Sequence, residues 1–65
     1  MNGLSGRKLR EYRKRKGLTI SQLALLSGYS KGGISMLENG KRDSITTKTL
    51  KRLAKALGAD YKDLI

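Results

Sequence analysis

One short pattern recurs five times along this chain and limits the folds open to it: an apolar residue, then Ser, Thr or Asp, then three residues, then another apolar residue. The instances are Leu4-Ser5…Leu9, Leu18-Thr19…Leu23, Tyr29-Ser30…Ile34, Ile45-Thr46…Leu50 and Ala59-Asp60…Leu64. Each is a helix N-cap with a hydrophobic staple, in which the residue before the cap packs on the fourth helical residue. Gln22 adds a capping box to Thr19. Gly17, Gly28, Gly40 and Gly58 each follow a helical stretch, where a left-handed C′ residue ends a helix. Starts and stops together predict five helices, over about 6–16, 20–27, 31–39, 47–57 and 61–65, with residues 1–4 as a short loose arm. No segment shows the period-2 alternation of a strand. The expected fold is all-α, a compact five-helix domain.

Composition agrees. The chain has 65 residues, enough for one domain spanning 1–65. It has no proline, which would break helix interiors. Without cysteine or histidine it has no disulfide, no usual zinc ligands and no Ser-His-Asp or Cys-His constellation. The reading is of a protein that is not an enzyme and uses no metal or cofactor. No apolar run is long enough to span a bilayer and no apolar leader opens the chain, so a cytoplasmic location is expected. The net charge of +10 calls for a polyanion: DNA, RNA or an anionic membrane surface.

An inward stripe at i, i+3, i+4 spacing collects the core: Leu9 and Tyr12, then Leu23, Ala24 and Ser27, then Ile34 and Leu37, then Leu50, Leu53, Ala54 and Leu57, and last Leu64. Between the second and third helices lie only Gly28, Tyr29 and Ser30. Two short helices joined by a tight turn containing glycine make a helix-turn-helix. With Ile34 and Leu37 inward, the third helix turns Lys31, Gly32, Ser35, Met36 and Asn39 outward. An α-helix fits the major groove of DNA. Lys31 can donate to guanine, Ser35 can bond to several bases, and Met36 can lie on a thymine methyl. Gly32 and Gly33 are costly in a first helical turn, each about 1 kcal/mol against alanine. Either they let the helix N-terminus approach bases and phosphates closely, or they merely relieve crowding.

The segments "LREYRKRKGLT" (9–19), "QLALLSGYSKGGISMLENGKR" (22–42) and "TLKRLAKALGADYKDLI" (49–65) resemble the lambda-repressor-like (Cro/repressor, XRE-type) family, and "LENGKR" is its most characteristic piece. The resemblance covers nearly the whole chain. It implies a five-helix DNA-binding domain, usually a dimeric repressor on a palindromic operator. Base contacts would fall to Lys31, Gly32, Ser35 and Met36. Phosphate contacts would fall to Thr19, Ser21, Gln22, Ser30, Asn39, Lys41 and Arg42. Ile20 departs from the glutamine common in the family, and the loop from 43 to 45 is one residue longer. The alternative for Lys41 and Arg42 is a solvated turn. The resemblance also implies a partly buried Arg13–Glu38 ion pair, against two exposed charges, and a dimer surface from Ala59, Tyr61, Leu64 and Ile65, in a homodimer that forms mainly on DNA. Most basic residues of the first and fourth helices read as solvated faces that strengthen the field.

Leu25 and Leu26 are unusual at their positions. They are either a partly covered edge of the core or a patch for a partner protein. The competing functions are therefore an antitoxin-type or adaptor protein that binds another protein, and a membrane-active basic peptide. The regular caps and turns argue against the peptide. RNA is disfavoured because no aromatic platform is interleaved with the charges.

Overall fold

The computed structural model describes residues 2–42 and 44–65; for Asn2 and Ser44 the backbone alone is described. The order is β1 (Asn2–Gly3), α1 (Gly6–Arg15), α2 (Ile20–Ser27), α3 (Lys31–Glu38), β2 (Ser44–Ile45), α4 (Thr47–Leu57) and a closing 3-10 turn at Tyr61–Leu64. Every expected cap forms. The side chains of Ser5, Thr19, Ser30, Thr46 and Asp60 accept from the amides of Lys8, Gln22, Gly33, Thr49 and Lys62. The four C′ glycines all have φ of +65° to +74°.

Two expectations need correction. The fifth element is a single 3-10 turn, not an α-helix. Its amides bond three residues back, Asp63 N to Asp60 O at 2.9 Å and Ile65 N to Lys62 O at 3.4 Å, which is the tighter 3-10 pattern. The arm is not loose over its described part. Asn2 and Gly3 pair antiparallel with Ile45 and Ser44, and Leu4 is buried. A two-residue ladder is too short to leave a periodic signal. Met1 of that arm, and Asp43 of the lengthened loop, lie outside the described residues.

The core is the inward stripe plus Leu4 and Ile45, two staple residues that join it. Leu9, Leu23, Ile34, Leu37, Leu50, Leu53 and Leu64 are fully buried, each contributing about 1.5–3 kcal/mol against exposure. α2 packs on both α3 and α4, α1 on α3 and the closing turn. Gly6 explains how α1 meets α3 so closely. A β carbon there would collide with the Leu37 carbonyl, so only glycine lets the start of α1 rest on the α3 backbone. The Ser5 amide then donates to Leu64 O at 2.7 Å, fastening the closing turn to the α1 cap. Among the described residues no helix is long and apolar enough to cross a membrane.

Candidate nucleic-acid interface

The unit α2–turn–α3 is held by local bonds. Gly28, left-handed at φ +74°, ends α2 and returns its amide to Ala24 O. The buried Ser27 hydroxyl accepts from the Tyr29 amide at 3.3 Å, and Ser30 begins α3. Gly33, Ile34 and Leu37 face the core, while Lys31, Gly32, Met36 and Asn39 are exposed and Ser35 is half-buried. Asn39 Nδ2 donates to Ser35 Oγ at 3.3 Å, linking two of the outward polar groups.

The far end of α3 is tied to α1. Arg13 Nε and Nη2 donate to Glu38 Oε2 and Oε1 at 2.7 and 3.0 Å. Arg13 Nη1 also donates to Leu18 O at 2.8 Å. The two side chains are only 11% and 5% exposed. The Glu38 hydrogen bonds hold the Arg13 guanidinium still more firmly in its charged form, raising its pKa against the opposing effect of burial. The fork geometry fixes direction as well as distance, so α3 is aimed relative to α1. Arg10, Arg13, Ile20, Ser35, Glu38 and Asn39 line a shallow recess beside α3.

The glycine pair divides into two cases. A β carbon at Gly33 would stand 2.6 Å from Tyr29 Cε2 and 2.8 Å from Ser30 Oγ, so this glycine relieves crowding. At Gly32 a β carbon would meet nothing within 4 Å. The fold makes no demand on Gly32.

Among the phosphate candidates, Thr19 and Gln22 are engaged with each other. Thr19 N donates to Gln22 Oε1 at 2.8 Å and Gln22 N to Thr19 Oγ1 at 3.1 Å. The first-turn amides of Ile20 and Ser21 have no intrahelical acceptor to point at. Ser30 spends its hydroxyl as the α3 cap, while the amides of Lys31 and Gly32 open the helix. After α3 the amides of Lys41 and Arg42 donate to Met36 O at 2.9 and 3.2 Å, folding that loop back on the helix. Arg42 Nη1 meets the Tyr29 hydroxyl at 2.9 Å.

The dimer candidates separate. Leu64 has no exposed surface and cannot contact a second copy. It is the staple of the closing turn and fills the core, which corrects its assignment to an interface. Ala59 and Tyr61 are half-buried and Ile65 is 46% exposed. Leu25 and Leu26 are 85% and 60% exposed, which makes them a surface patch and not an edge of the core.

Sequence reasoning missed three features of this interface. Gly6 seats α1 on α3, Leu18 O completes the Arg13 clamp, and Tyr29 reaches Arg42. These three left no local signal; Arg10, which lines the recess beside α3, did, since it precedes Arg13 by one helical turn on the same side of α1.

A family model described as helix-turn-helix matches residues 9–64. The chain belongs to the lambda-repressor-like helix-turn-helix family. It is 47% identical over 60 residues to the HTH-type transcriptional repressor RghR of Bacillus subtilis, covering 92% of this chain and 44% of that protein. It is 45% identical over 60 residues to RghRB of the same organism, an uncharacterized HTH-type transcriptional regulator, covering 92% of this chain and 43% of the relative. The chain thus spans less than half the length of these two helix-turn-helix relatives. Among solved structures, it superposes on the restriction-modification controller protein C.AhdI from Aeromonas hydrophila with a TM-score of 0.86 and 35% identity, covering 92% of this chain and 89% of that one. It superposes on SinR, a master regulator for biofilm formation solved in complex with DNA, with a TM-score of 0.88 and 27% identity, covering 92% and 98%.

Proposed function

We propose that this helix-turn-helix chain is a sequence-specific double-stranded DNA-binding transcriptional regulator, a repressor that sets α3 in the major groove. The observation that carries the reading is the two-sided α3: Ile34 and Leu37 are fully buried, and the opposite side presents Lys31, Gly32, Ser35, Met36 and Asn39. Lys31, Ser35 and Met36 read base edges. Gly32 brings the helix start close to the DNA, a role supported by the empty space around it. The open amides at the starts of α2 and α3, with Thr19, Ser21, Gln22, Ser30, Asn39, Lys41 and Arg42, track the phosphates. The relatives' names support regulation and repression, and the DNA in the SinR structure supports the ligand.

The molecule's longest extent is 27 Å, less than the ~34 Å of one DNA turn. One copy therefore reads one groove face. A palindromic operator takes two copies with half-sites about 10–10.5 base pairs apart, centre to centre. Ala59, Tyr61 and Ile65 are the surface through which the copies meet, weakly enough that the dimer forms mainly on DNA. Repression is occlusion of the promoter in the cytoplasm. Selection from random duplexes followed by footprinting tests this. The expected outcome is a two-fold site with that spacing; equal binding of every duplex refutes it.

The exposure of Leu25 and Leu26 favours a second, compatible reading as an adaptor for a protein. Leu26, Ser27, Arg52, Lys55 and Ala56 line a groove that sets apolar surface beside two basic side chains. Neither α2 nor α4 carries a carboxylate. Two such faces on identical copies repel, so the matching partner is an acidic amphipathic segment. Size-exclusion chromatography with a candidate partner, without DNA, should shift for the wild type and not for Leu25→Gln/Leu26→Gln. An equal shift for both sinks this reading.

A further inference from the structure

Tyr29 stands just before α3 and Arg42 in the loop beyond its end, yet their side chains meet. For this the tyrosine ring must lie along α3, and Gly33 is what seats it: a β carbon there would stand 2.6 and 3.0 Å from Tyr29 Cε2 and Cζ. Arg42 is anchored from the backbone as well, through its amide and that of Lys41 on Met36 O. Three separate features of the sequence thus serve one contact. They are the only ring in the helix-turn-helix turn, a glycine that weakens the first turn of α3, and an arginine after α3.

We propose that Tyr29 is a positioning residue for DNA binding. It holds the Arg42 guanidinium on the Gly33–Met36 flank of α3, placed to receive a phosphate, and Gly33 is present to admit the ring. This inference rests on the DNA-binding reading above. The chemistry separates Arg42 from Arg13 on the opposite flank. The Arg13 charge is met by a carboxylate at 2.7 Å, whereas Arg42 is held by a neutral hydroxyl. Among the described residues no carboxylate pairs with Arg42, and four of its five N–H donors remain for phosphate oxygens. A free surface arginine gives up rotamer entropy on binding; one already held gives up less.

The test compares wild type, Tyr29→Phe, Arg42→Ala and the double variant by fluorescence anisotropy on the selected operator duplex, over a series of salt concentrations. Arg42→Ala should weaken binding about tenfold and lower the salt slope by about one. Tyr29→Phe should weaken it about threefold with the slope unchanged, since the charge persists but is no longer placed. The double variant should bind like Arg42→Ala alone. In the free protein, Arg42 side-chain NMR relaxation should report greater mobility in Tyr29→Phe. Additive losses in the double variant, or Tyr29→Phe binding like wild type, overturn the proposal while leaving the DNA-binding reading intact. A wild type with no preferred duplex overturns both.

Discussion

Replacing Glu38 by alanine should cost this domain a large part of its stability, and the size can be worked from the geometry. The change removes two hydrogen bonds of 2.7 and 3.0 Å from the Arg13 guanidinium. At about 1.5–3 kcal/mol for each bond to a charged group, the gross loss is about 3–6 kcal/mol. Arg13 keeps its bond to Leu18 O, and its side chain can swing toward water because it is not wholly enclosed, at 11% exposure. That relaxation brings the expected cost to about 2–4 kcal/mol, near the range for a buried pair broken from one side. In a domain of this length, thermal unfolding followed by circular dichroism should then fall by roughly 10–30 °C. The paired replacement Arg13→Met/Glu38→Leu leaves no orphan charge and should recover stability to within about 1 kcal/mol of wild type. It should still bind the operator more weakly, because apolar contacts do not aim α3 as the bidentate fork does. If Glu38→Ala melts within a few degrees of wild type, or the double variant is as unstable as the single, the pair does not act as argued.

Gly6→Ala should destabilise the fold by about 1–3 kcal/mol in chemical denaturation, since the new methyl meets the Leu37 carbonyl and must push α1 off α3. Gly32→Ala should do the reverse, adding up to about 1 kcal/mol of helix stability while weakening operator binding in an anisotropy titration; unchanged or tighter binding removes the close-approach role. Leu64→Ala should cost about 2–5 kcal/mol through a core cavity, with a melting temperature independent of protein concentration, as befits a residue of the monomer interior.

Much of the fold was open to sequence reasoning because its signals are local. An N-cap and its staple lie within five residues, and a C′ glycine follows the helix that it ends. These interactions form wherever the chain goes next, so Ser5, Thr19, Ser30, Thr46 and Asp60 announced their helices directly. The outward face of α3 followed by subtraction once Ile34 and Leu37 were placed inward. Legibility failed where two distant segments share one space. Leu64 reads from the sequence both as a core residue and as part of a dimer surface, because no nearby residue shows that the Ser5–Leu9 region closes over it. The two glycines of the first turn of α3 read together, as close approach to DNA or as relief of crowding, whereas Gly33 answers to the Tyr29 ring and Gly32 to nothing in the fold.

What the sequence alone determined is where helices begin and stop, which side of each is apolar, and a net charge suited to a polyanion. What only the tertiary structure decided is how the pieces meet: Gly6 under the Leu37 carbonyl, Arg13 on Leu18 O, Tyr29 across Gly33 to Arg42. The division has a physical cause. Capping and periodicity are energies among neighbours along the chain, while close approach, burial and long hydrogen bonds depend on the mutual position of elements, which exists only once the core has closed.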